Sequence, residues 1–251
     1  MVHIKAGHLA VPVVTGIAVA VTACGGATGT VKPAVSATHS ASAAASGSPA
    51  ASPTASPAGS SSAGAVPAGY TRVGGAAQGI SIAAPASWVA IDPTTKSIDS
   101  AASKAGLDGL PAATIEQDIA SIQKLHGLIV FDVKSAVNSP DHFADNLSAY
   151  CGASDVNDVG AAGVPLLKES AAAEFAQVKA THIAQREIEV GGVPAVESSY
   201  QLTSLTEGTL YGTQLEVLPA QNKICFVTVT VGKAETDGDV VSTAAATAQF
   251  P

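Results

Sequence analysis

From about residue 69 onward, apolar side chains recur at two spacings, every second residue for strands and every third or fourth for helices. Residues 70–73 and 79–84 fit short strands, the second closed by Pro85 and followed by the sole tryptophan, Trp88. Ile115, Ile119, Ile122 and Leu125 share one helical face, with Pro111 upstream, Thr114 and Gln117 spaced as a capping box, and Gly127 as a stop. Residues 128–133, Leu-Ile-Val-Phe-Asp-Val, predict a strand that buries Ile129, Phe131 and Val133. A strand over 146–151 is the next expectation, with a helix over 143–150 as the alternative. Pro165 opens an Ala-rich helix to about Lys179. Four strands follow over 182–190, 193–202, 209–218 and 223–231, the first two joined by the two-residue turn Gly191-Gly192. In the last strand, Cys225, Val227, Val229 and Val231 alternate with Ile224, Phe226, Thr228 and Thr230, which predicts a central strand covered on both faces. Thr236, with Asp239 at the reciprocal position, caps a final helix to about Ala248. The order β-β-α-β-β-α-β-β-β-β-α predicts an α/β fold, an α/β/α sandwich with a mainly antiparallel sheet.

The first 68 residues follow neither period. Residues 1–8 carry Lys5, residues 9–21 are apolar, and the run of roughly 13 is too short for a bilayer span but right for a signal-peptide core. It ends in Val21-Thr22-Ala23-Cys24, which resembles the lipobox of bacterial lipoprotein precursors. The expectation is a signal peptide over 1–23 and lipidation at Cys24; an ordinary secretory signal, with Cys24 incidental, is the alternative. Two acyl chains on Cys24 give stable anchoring where one is marginal. Residues 24–68 are mostly Ser, Ala, Pro, Gly and Thr, too little apolar surface to offset the entropy of ordering, so a disordered tether is expected. About 40 such residues reach roughly 35 Å. Their hydroxyls suit O-glycosylation or simply solubility.

The domain over 69–251 is acidic. No carboxylate precedes Asp92, and with Lys5 and Lys32 set aside ten basic residues face twenty acidic ones. Such a charge repels phosphate backbones and anionic headgroups, so nucleic acid is excluded as an expected partner and membrane attachment must come from lipid.

Of the three cysteines, Cys151 and Cys225 remain after lipidation of Cys24. In an oxidising compartment they read as a disulfide, or as two buried thiols. Asp141, His142 and Asp145 offer three possible metal ligands, yet a surface loop yields such groupings routinely and no metal is expected. The run Asp155-Val156-Asn157-Asp158-Val159-Gly160 starts like a calcium loop but fails at Val159 and at Leu166, so a turn is expected. Gly-x-Ser-x-Gly and His-Glu-x-x-His motifs are absent. Glu187 and Glu189 share a strand face at glycosidase-like spacing, as residues on ordinary exposed strands also do. Trp88, with Tyr70, is either a core lid or an exposed platform for a ring-shaped ligand.

Ile80-Ser81-Ile82-Ala83-Ala84-Pro85 with Trp88, and Gly191-Gly192-Val193-Pro194-Ala195 before a long strand, resemble two motifs of the PsbP-like fold, also called Mog-type. Actinobacterial lipoproteins of the LpqN/LpqT type share that architecture, and the chain resembles them over most of residues 69–251. It departs at Ala86-Ser87, where the family has Gly before Trp. The resemblance implies a binding or accessory role without a catalytic centre or cofactor. The expected function is therefore a lipid-anchored module on the extracytoplasmic face of the cell membrane that recognises a protein or cell-envelope component. A small-molecule carrier with an apolar cavity is the alternative, and an envelope-polymer hydrolase the lesser one.

Overall fold

A computed structural model describes residues 64–91, 119–138, 143–204, 208–233 and 238–251. The expected signal peptide, Cys24, the tether as far as residue 63, the Thr114 cap, Asp141, His142 and the Thr236 cap lie outside the described residues.

Strands β1 (Tyr70–Gly75) and β2 (Ile80–Pro85) form an antiparallel hairpin of their own. The main sheet has seven strands: β3 (Val89–Ile91), β4 (Leu128–Asp132), β5 (Asp145–Ala153), β6 (Thr181–Val190), β7 (Val193–Ser204), β8 (Gly208–Ala220) and β9 (Lys223–Val231). Their order is β3-β4-β5-β9-β8-β7-β6, antiparallel throughout, so β6 to β9 are a meander and β9 lies fourth of seven. The helices are α1, described over 119–124, α2 (Val133–Asn138), α3 (Val164–Gln177) and α4 (Gly238–Thr247). A 3-10 turn, Gly160–Ala162, leads into α3 in place of a calcium loop.

Alternation of side chains along each strand divides the core into two layers. On one face Val240, Val241 and Ala244 of α4 pack with Ile80 and Ile82 of the hairpin against Leu147, Val227 and Leu215. The other face carries Ile119 and Ile122 of α1, and Leu167 and Phe175 of α3. The result is an α/β/α sandwich with an antiparallel sheet, its second layer completed by a hairpin. Arg72 ties that layer together: Nη1 donates to Ser81 Oγ at 3.1 Å and to the Thr247 carbonyl at the end of α4 at 3.0 Å, and Nη2 donates to the Gly64 carbonyl at 3.1 Å. A cation at a helix C-terminus complements the exposed carbonyls there.

Two elements depart from the sequence reading. The strand expected through residue 133 stops at Asp132, whose Oδ1 accepts from Lys134 N at 3.0 Å and so caps α2, a helix hidden inside an apolar run. The three-residue β3 is too short to show a period. The strand expected over 146–151 is present as β5, Asp145–Ala153, and the alternative helix over 143–150 does not form. Gly127 follows α1 for a reason other than the expected one: the left-handed residue is His126, at φ 53°, while a side chain at Gly127 would strike the Ala149 carbonyl of β5.

A buried polar patch beneath helix α3

The face of the sheet under α3 is polar at its centre. Register places Gln185, Ser198, Gln214, Thr228 and Ser148 side by side on five consecutive strands, β6 to β5. One row along, Val196, Glu216, Phe226 and Tyr150 are neighbours; on the other side stand Tyr200, Gly212, Thr230 and Asn146. Of these, Gln185 is half-buried and the other non-glycine residues are buried, Glu216 completely. Helix α3 adds Glu174, which shares an apolar stripe with Leu167 and Ala171 and is 9% exposed.

One amide organises the patch. Gln214 Nε2 donates to Glu216 Oε1 at 2.9 Å and to Glu174 Oε2 at 3.3 Å, while Gln214 Oε1 accepts from Thr228 Oγ1 at 3.4 Å. The two carboxyl groups, as acceptors, take the amide nitrogen, and the amide oxygen is left for the hydroxyl. Glu174 Oε1, Glu216 Oε2, Tyr200 Oη and Thr230 Oγ1 are buried without a hydrogen-bond partner. The Tyr200 ring lies across Gly212, where a Cβ would run into it, and packs on Phe175 with centroids 4.5 Å apart. Tyr150 stacks on Phe226 at 5.0 Å.

Burial disfavours charge here. It pushes the Glu216 carboxyl up to about 8, against the lowering effect of the Gln214 hydrogen bond and with a further rise from Glu174. Glu174 is pushed up to about 7 by burial, again opposed by Gln214. The hydroxyls of Tyr150 and Tyr200 are raised too, by burial first and then by the two carboxylates. The described ion pairs lie elsewhere: Lys168 with Glu187 at 2.7 Å, and Arg186 with Glu197 at 2.7 Å.

The residues singled out from sequence fall away from this patch. Trp88 and Tyr70 are half-buried; Trp88 packs on the α4 side of the core, and Tyr70 sits opposite Pro85 in the hairpin. Cys151 and Cys225 occupy paired positions on β5 and β9 and form a disulfide, with sulfurs 1.99 Å apart, also toward α4. Asp145 Oδ1 accepts from Gly232 N at 2.9 Å. Among the described residues no group of three or more His, Cys, Asp or Glu side chains could hold a metal ion. Nor is any described helix long and apolar enough to cross a membrane. The patch itself escaped the sequence reading. Its signal was polar residues on strand faces that a helix had to cover, Ser198, Gln214, Glu216 and Thr228, and a glutamate on the apolar stripe of α3.

No family model matches the chain, and no curated protein matches it by sequence. Solved structures do resemble it. The solution structure of CyanoP, the PsbP protein of the cyanobacterium Synechocystis, is similar with a TM-score of 0.41 and 13% identity, over 78% of this chain and 98% of that one. A protein from Bacteroides thetaiotaomicron is similar with a TM-score of 0.37 and 9% identity, over 68% of this chain and 45% of that one, so the chain spans less than half of its length. Overlaps of this extent carry no activity from one chain to another.

Proposed function

We propose that this chain is a binding module, held on the extracytoplasmic face of the membrane by lipid on Cys24, that takes a small polar solute on the sheet face beneath α3. The observation that carries the reading is the group of four buried oxygens without partners. Leaving such an atom unsatisfied costs about 1–3 kcal/mol, and native proteins rarely do so without a use for it. A polar solute completes these bonds. The apolar cavity expected of a small-molecule carrier is a poor match for this surface. Hydrolysis through Glu187 and Glu189 gains no support either, because Lys168 holds Glu187 in an exposed ion pair.

A second reading has its own observation. Among the described residues, strand β6 ends the sheet order, pairs with β7 alone, and is exposed along most of its length, which leaves an edge on which a protein or envelope component could add. Native mass spectrometry of the full-length lipoprotein, expressed in an actinobacterial host and extracted in mild detergent, separates the two. A small-molecule adduct that weakens in Tyr200→Phe supports the solute. A chain free of such adducts, and stoichiometric with an envelope protein, overturns it in favour of the edge.

A further inference from the structure

We propose that the seat formed by Glu174, Glu216 and Tyr200 takes the positively charged nitrogen of a small amine, an inference that rests on the patch being the solute site. Two carboxyl groups from different elements, α3 and β8, converge on a single donor, Gln214 Nε2. Each therefore keeps one oxygen free, and both free oxygens are buried. The ion pairs described lie elsewhere, and neither includes Glu174 or Glu216. An ammonium group has donors for both carboxylates and one more for a hydroxyl, and Tyr200 Oη is an unpartnered hydroxyl near enough to both carboxyl groups to feel their charge. The Tyr200 side chain is more than nine-tenths buried. Phe175, next to Glu174 in the chain, packs its ring on Tyr200, and aromatic faces favour a cation over an anion. Calcium fits less well, since it requires six to eight oxygens and only two carboxylates are present.

Other titratable groups facing the pair are few. Tyr200 on β7 and Tyr150 on β5 stay protonated, while β9 contributes only the hydroxyls of Thr228 and Thr230. Without a cation, burial keeps a proton on the pair near neutral pH. Binding an ammonium group stabilises the charged carboxylates, so protons leave for solvent as the amine enters.

Isothermal titration calorimetry of the full lipoprotein in detergent, with methylamine and putrescine against 1,4-butanediol and calcium chloride, tests the assignment. Saturable binding of an amine is expected, with no binding of the diol. Between about pH 5 and about pH 7 the affinity should rise on the order of tenfold per pH unit for each proton released. Paired titrations in buffers of unlike ionisation enthalpy read that release on the wild-type chain, independently of any variant. Glu216→Gln and Glu174→Gln, isosteric with the protonated acids, should weaken amine binding at least about tenfold while keeping a cooperative melt. Diol binding equal to putrescine, calcium binding where neither amine binds, or no amine binding at about pH 8 overturns the proposal. If a host-derived adduct is still seen by mass spectrometry, only the assignment of charge has failed. Loss of both the adduct and amine binding removes the solute reading as well.

Discussion

Glu216 and Glu174 protonate more readily in the fold than in an unfolded chain, and this sets the direction of a pH dependence. Between about pH 4.5 and about pH 8 the folded state binds more protons than the unfolded state, so stability falls as pH rises. The contribution is fully present below the ordinary carboxylate range and is lost through pH 7 to 8. Melting temperature should therefore be higher at about pH 5 than at about pH 8, and Glu216→Gln should flatten the difference; a wild-type profile that rises across this range would contradict the assignment. Gly212 is a second sensitive position. Its missing Cβ lets the Tyr200 ring lie flat across β8, so Gly212→Ala should destabilise by roughly 1–3 kcal/mol, read by urea denaturation. Neither residue was legible as functional beforehand. Gln214 and Glu216 sit in a strand whose opposite face, Leu215 and Val217, already satisfies the apolar alternation, and only the register shows Ser198 and Thr228 beside Gln214.

Strands and helices with a sustained period were readable from the chain, and those set by a single contact were not. The meander was written in alternating residues, and Lys223–Val231 matches its expected bounds. Gly191 and Gly192 both take positive φ, at 59° and 78°, as the two-residue turn requires. Helix α2 escaped because Val133 continues an apolar run, and what ends the strand is one carboxylate oxygen on Asp132. The link between β5 and β9 gives a prediction of its own. Removing a cross-link that closes a 74-residue separation should cost roughly 4 kcal/mol in the chain-entropy view. Cys151→Ser/Cys225→Ser should accordingly melt well below the wild type without reductant, and equal melting would show the bond to be idle.

The layered architecture follows from the order of periods along the chain, whereas the pairing of β5 with β9, distant in sequence, does not. Charge acts over the molecule as a whole: an excess of carboxylates keeps it from anionic headgroups, so attachment falls to the acyl chains expected on Cys24. Cys24→Ser should abolish labelling by palmitate and release the chain from membranes, and labelling that persists would end the anchoring proposal. The disulfide has one more consequence. Between its two cysteines lie α3, β6, β7 and β8, hence Glu174, Tyr200, Gln214 and Glu216 all belong to one covalent ring. A protease that nicks this ring once, anywhere from residue 152 to 224, leaves a single molecule whose fragments part only under reducing conditions. In surroundings rich in hydrolytic enzymes, one such cut need not dismantle the residues of the patch or set them adrift.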